Sequence, residues 1–124
     1  MAGRFSKADV TALDHSAVLR IRAGSGDHRF LGIWAVVVQG RVFVRSWNLK
    51  AGGWYRTLAD ERVGAILLDG NELPIRARPA RGARLLAAID RAYLAKYAGP
   101  GSRKFARGLA SQKRRASTTE LLPR

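Results

Sequence analysis

The stretch Arg29–Trp47, RFLGIWAVVVQGRVFVRSW, decides how the chain is built. Its first ten residues are almost continuously apolar and turn β-branched towards Val38. That pattern suits a strand covered on both faces, as in a barrel wall or at the centre of a sheet. Gln39-Gly40 then predicts a tight hairpin into the next strand. Beyond it the residues alternate, with Val42 and Val44 on one side and Phe43, Arg45 and Trp47 on the other.

Working outward, VLRIRA (18–23) places Leu19, Ile21 and Ala23 on one face and Arg20 and Arg22 on the other, a strand with one wet face. GSGDH is a turn between these two strands. Downstream, WYRTLADERVG has helical character, Val63–Leu68 is a further apolar strand, and Asp69-Gly70-Asn71 turns it back into ELPIRARPA. Strands running consecutively through short turns exclude βαβ units. The clearest helix covers residues 82–98, where Leu85, Leu86, Ile89, Tyr93 and Tyr97 recur near a period of 3.6 and Gly99-Pro100-Gly101 ends it. Ser102 is a predicted cap for a second, basic helix carrying Phe105 and Leu109, and STTELLP has strand character. Residues 7–14 form a short helix behind Ser6, so 1–17 are a helical lead-in and 18–124 a single domain.

Composition narrows the chemistry. A chain of 124 residues supports one core and not two. With no cysteine, disulfides, thiolate nucleophiles and cysteine-ligated metals are excluded, and His15 and His28 alone do not suggest a catalytic zinc site. No metal is expected. The N-terminal residues lack the apolar core of a signal peptide, and the longest apolar run, Ile33–Val38, is too short to span a bilayer, which makes the cytoplasm the expected location. The net charge of +14 predicts attraction to polyanions: nucleic acid, anionic lipid or a phosphorylated ligand. Glycine-rich GSG (24–26) and GPGSRK (99–104) miss the spacing of phosphate-binding loops, and DHS (14–16) puts triad residue types where no relay geometry is possible.

The corner after the hairpin, SWNLKAGGWYRTL (46–58), concentrates candidate site residues. Arg45, Ser46, Lys50 and Arg56 are potential donors to a phosphate. A helix starting near Trp54 adds backbone N–H groups, Gly52-Gly53 permits close approach, and Trp47 or Trp54 can lie against a flat heterocycle. Equally, both indoles can plug the end of the sheet while the cations face water. Tyr93 and Tyr97, one helical turn apart, read either as core residues or as the edge of a substrate pocket. The basic segment Arg103–Arg115 can follow a phosphate backbone or merely keep a helix solvated.

The succession IWAVVV, VFVRSW, GGWYRTL, GAILL, ELPIRARPA, AIDRAYLAKY and TTELLPR resembles the split β-barrel flavin-binding superfamily over residues 18–124. Its W-[YF] corner, AYxxKY helix and closing xLxPR strand are similar to those of domain-of-unknown-function family 2255. The WYxxL corner more distantly resembles the deazaflavin-dependent nitroreductases. The resemblance implies a mostly β fold with flanking helices: a six-stranded split β-barrel of the FMN-binding, pyridoxamine-phosphate-oxidase-like type, forming a homodimer. It also implies FMN or the deazaflavin coenzyme (F-420) as cofactor, with the phosphate by Arg45, Ser46, Lys50 and Trp54, Tyr55 and Arg56, and the ring along Gly32, Ile33 and Trp34. Tyr93 and Tyr97 would border a small organic acceptor. The nitroreductases carry a histidine-proline pair before the corner tryptophan where this chain has Gly52-Gly53. An oxidoreductase is therefore the leading expectation. A non-catalytic barrel holding another anionic small molecule is the alternative, and a basic nucleic-acid-binding protein the third.

Overall fold

The computed structural model describes residues 3–124. In chain order the elements are α1 (Lys7–His15), β1 (Leu19–Ala23), β2 (Leu31–Ile33), β3 (Ala35–Val38), β4 (Arg41–Val44), α2 (Trp54–Glu61), β5 (Val63–Leu68), β6 (Asn71–Pro79), α3 (Ala83–Lys96), α4 (Arg103–Leu109), α5 (Gln112–Arg115) and β7 (Thr119–Pro123). All pairings are antiparallel, in the order β2-β1-β5-β6-β7-β4-β3. The two ends of this sheet are consecutive in sequence, because Trp34 alone separates β2 from β3. Leu19 pairs with Ile33 on one side of that break and Ala35 with Val44 on the other. The sheet thus curls into a nearly closed barrel, and the seven strands become the expected six when β2 and β3 are taken as one strand interrupted at Trp34.

Local chemistry explains the turns and tight spots. Gln39 and Gly40 have φ of 54° and 72°, and Asp69 and Gly70 have 51° and 79°, the paired left-handed conformations that match the twist of a two-residue hairpin. At Gly64, a Cβ would collide with the Arg22 carbonyl oxygen on the neighbouring β1, so only glycine lets β1 and β5 approach there.

β4 shows why its stretch of sequence is apolar on both faces. Val42 and Val44 point into the barrel with Leu19, Ile21, Ile66, Ile75 and Leu121, and Leu13 of α1 and Leu58 of α2 close on the same cluster. Phe43 points outward into a second cluster formed with Val36, Ile89, Tyr93, Tyr97, Ala106 and Leu109, beneath α3 and α4. Coverage is incomplete at the start of the preceding strand, where Leu31 is exposed, contrary to the expectation of burial along its whole length. Two local details also differ from expectation. Ser102 makes no capping bond to α4, and a short α5 follows, capped instead by the Ser111 hydroxyl accepting from Arg114 N–H at 3.4 Å. Among the described residues no helix is long and apolar enough to cross a membrane.

Candidate functional site

Where the barrel wall breaks at Trp34, a cleft of about 320 Å³ opens between β2, the loop after β4, the start of α2 and α4. Gly32, Ile33 and Trp34 form one wall, Trp47, Asn48 and Trp54 another, and Phe105 and Leu109 of α4 a third, with Arg45 beneath. The volume lies at the small end of ligand pockets, and the aromatic lining suits a flat apolar ring.

Each aromatic wall is held differently. Trp34 stacks on Tyr97 with ring centroids 3.9 Å apart and planes within 4°. Trp47, 45% exposed, meets Phe105 edge-on at 5.4 Å and lies 3.7 Å from the Arg114 guanidinium, whose Nε–H donates to the Trp47 carbonyl at 3.0 Å. Trp54 opens α2 and also lines a neighbouring hollow with His28, Arg29, Gly52 and Thr57, so its indole stands between two concavities.

Arg45 does not fit the role of headgroup donor expected from sequence. Its side chain is fully buried, and Nε donates to Thr118 Oγ1 at 2.8 Å, Nη1 to Asp90 at 2.5 Å and to the Leu109 carbonyl at 3.0 Å, and Nη2 to the Leu86 carbonyl at 3.1 Å. A guanidinium tied at once to the residue before β7, to α3 and to α4 fixes the cleft floor and has little left for a ligand. Asp90 is shared with Arg115 at 3.2 Å. Ser46 is likewise committed: its N–H donates to Ser117 Oγ at 2.9 Å and its hydroxyl to the Asn48 carbonyl.

Lys50 and Arg56 remain exposed at the corner, outside the cleft lining. Arg56 Nε donates to the Leu49 carbonyl at 3.1 Å, and Lys50 N–H to Asn48 Oδ1 at 3.0 Å, so both help shape the loop. Tyr55 turns away into a separate cleft of about 50 Å³ beside Leu58, Pro79 and Thr118. α2 starts from Gly53 without a side-chain cap and without an acidic residue in its first turn, which leaves its positive end unneutralised.

The two tyrosines settle as core residues. Tyr93 is fully buried, and its hydroxyl donates to the Trp34 carbonyl at 3.0 Å. The Tyr97 hydroxyl donates to the Ala17 carbonyl at 2.7 Å. Burial raises both hydroxyls above the ordinary phenol, Tyr97 to about 12. Neither Tyr93 nor Tyr97 lines the cleft, whose α4 wall is formed by Phe105 and Leu109 instead. Lys96 joins the same staple: Nζ donates to the Ala35 carbonyl at 2.8 Å and the Leu13 carbonyl at 3.3 Å, with its pKa lowered by burial.

Sequence therefore assembled Gly32, Ile33, Trp34, Arg45 and Trp54 at one place and missed Asn48, Phe105 and Leu109. Phe105 and Leu109 were legible as one face of a helix. Nothing local said that this face lies against a corner some sixty residues earlier.

A family model described as an uncharacterized protein conserved in bacteria, DUF2255, matches residues 9–121. The chain belongs to DUF2255. The crystal structure of a conserved hypothetical protein from Mycobacterium tuberculosis is similar over 98% of this DUF2255 chain and 81% of its own, with a TM-score of 0.57 at 14% sequence identity. That likeness concerns the fold. No curated protein matches the sequence.

Proposed function

We propose that this DUF2255 protein binds a planar, phosphate-bearing redox cofactor, FMN or the deazaflavin coenzyme, in the tryptophan-lined cleft and passes hydride or electrons to a small organic acceptor. The observation that carries the reading is the cleft itself: Trp34, Trp47, Trp54 and Phe105 surround a slot of about 320 Å³ at the break in the barrel wall. Three features support the fit. The lining is apolar enough to take a ring out of water, the uncapped start of α2 favours an anion, and Lys50 and Arg56 add exposed positive charge at the same corner. When bound, such a cofactor supplies the hydride or electrons that this chain's side chains do not.

The roles of the protein groups follow from their bonds. Arg45 and Asp90 hold β4, α3 and α4 in register, so that Leu109 and Phe105 stay against the cleft. Trp34, backed by Tyr97, presents a rigid wall. Neither Tyr93 nor Tyr97 is free to donate a proton to the acceptor, since both hydroxyls are bound to backbone carbonyls. The open side of the cleft exposes Trp47 and Phe105, exposed Leu31 lines the neighbouring hollow, and a second copy of the chain lying over them would complete the site as a homodimer.

The basic surface of α4 and α5 offers exposed Arg103, Lys104, Arg107 and Lys113 to a polyanion. However, Phe105 is the only aromatic residue in Arg103–Arg115, and stacking on single-stranded bases needs a series of free aromatic faces. The small-ligand reading is accordingly preferred.

Titration with FMN and with the deazaflavin coenzyme, read by tryptophan fluorescence and visible absorption, tests the proposal. Quenching that saturates, and that shrinks in a Trp54→Leu variant, is the expected result. Unchanged fluorescence with both compounds overturns it.

A further inference from the structure

α4 contains a glycine where an ordinary helix would carry alanine, and the cost of glycine inside a helix is about 1 kcal/mol. The structure shows what that glycine permits. A Cβ built on Gly108 would collide with Trp47 Cζ3 and would lie 2.5 Å from Cη2. Gly108 sits in the turn between Phe105 and Leu109, the two α4 residues that line the cleft. The Trp47 ring therefore packs against bare backbone at the point where α4 and the loop after β4 meet.

We infer that Gly108 is the specificity-determining residue of the cleft, because its missing side chain parks Trp47 against α4 and sets the width available to a flat ring. The inference rests on the ligand-binding reading given above. If Gly108 gains a methyl group, either the helix or the indole must move. α4 is anchored: Ala106 and Leu109 are buried, and the Leu109 carbonyl accepts from the immobile Arg45 guanidinium at 3.0 Å. The backbone at Trp47 is anchored too, through Arg114 Nε on its carbonyl at 3.0 Å and Ser117 Oγ on the preceding N–H at 2.9 Å. What can move is the half-exposed indole. Gly108, Phe105 and Arg114 occupy three of its sides, and the 45% exposed ring is otherwise open to solvent and to the cleft, whose apolar aromatic walls favour the indole over water. Trp47 turned inward would occupy the space of the ligand ring, so a bulkier residue at 108 selects for smaller ligands or for none.

The test compares wild type, Gly108→Ala and the double variant Gly108→Ala/Trp47→Phe, whose smaller ring lacks the outer indole carbons. Crystal structures report the ring position directly, and FMN titration reports affinity. For Gly108→Ala, the Trp47 ring is expected in the cleft, with thermal stability kept or raised because alanine is the better helix former, and FMN affinity lowered about tenfold or more. The double variant is expected to recover to within about threefold of the Trp47→Phe single variant, measured alongside, which a merely structural defect would not allow. An indole that stays in place in Gly108→Ala overturns the inference whether or not FMN binds. So does unchanged FMN affinity in that variant, or failure of the double variant to recover. A wild type that binds neither FMN nor the deazaflavin coenzyme instead overturns the cofactor reading, while the ring position in Gly108→Ala still decides the role of Gly108.

Discussion

The outer face of β4 and the corner that follows it use the same vocabulary of arginine, lysine and large aromatics, and they put it to opposite uses. Beneath α3, the polar groups of Arg45, Tyr93, Tyr97 and Lys96 have acceptors inside the protein. A few residues later, Trp47 is 45% exposed and Lys50 and Arg56 face water around a cleft. The difference teaches that residue type does not mark a site. A buried donor left without an acceptor loses about 1–3 kcal/mol, which is why these four side chains are bound internally on the helix-covered face. The uncovered corner has no such demand and keeps its rings and charges available.

The sharpest way to break the comparison is Arg45→Met. Four hydrogen bonds disappear, and the carbonyls of Leu86 and Leu109 lose a buried donor, although Asp90 keeps Arg115. A loss of about 3–5 kcal/mol in denaturant unfolding is expected. Arg45→Lys should recover only a fraction, because a point charge cannot span Thr118, α3 and α4 as the fork does. If Arg45→Met unfolds at the wild-type midpoint, the guanidinium is not a structural tie and its role as a ligand donor reopens.

A smaller effect separates the tyrosines from the cleft. Tyr97→Phe removes one buried hydrogen bond and should cost about 1 kcal/mol while leaving FMN quenching unchanged. Its pH signature has a definite sign. Burial raises the Tyr97 hydroxyl from 10.0 in the unfolded chain to about 12 in the fold, so its contribution is complete below pH 10 and is lost as pH rises towards about 12. Unfolding measured across that window should fall more steeply for wild type than for Tyr97→Phe, and parallel curves would contradict the assignment.

The least change in stability is expected at the corner. Lys50→Ala with Arg56→Ala should shift unfolding by no more than about 0.5 kcal/mol, since exposed charges contribute little to folding. FMN affinity should nevertheless drop about tenfold, and the drop should be greatest at low salt because the interaction is screened. Equal affinity in the double variant would move the headgroup away from this corner and towards the hollow beside His28 and Arg29.

The sequence was most informative where periodicity and local backbone chemistry act alone. Two-residue turns at Gln39-Gly40 and Asp69-Gly70, the alternation of Leu19, Ile21 and Ala23 with Arg20 and Arg22, and the stripe of α3 were all readable, because each depends on neighbours within a few residues. Ser102 was misread because a serine before a helix has no obligation to cap it when another conformation packs better. The cleft was half legible: Gly32 to Trp34 and Trp54 belong to it, while Tyr93 and Tyr97 do not. A stripe of tyrosines looks alike whether their hydroxyls end at backbone carbonyls or at a ligand.

By itself, then, the order of residues determined a chain of antiparallel strands with a covered central pair, a late amphipathic helix and an aromatic, basic corner. Tertiary structure alone decided that the sheet closes through the break at Trp34, that Arg45 is spent within the protein, and that Gly108 lies against Trp47. The physical reason is distance along the chain. Burial and hydrogen-bond partners of these groups come from segments roughly forty to seventy positions away, and no local pattern encodes which of several competent donors will meet a carbonyl first.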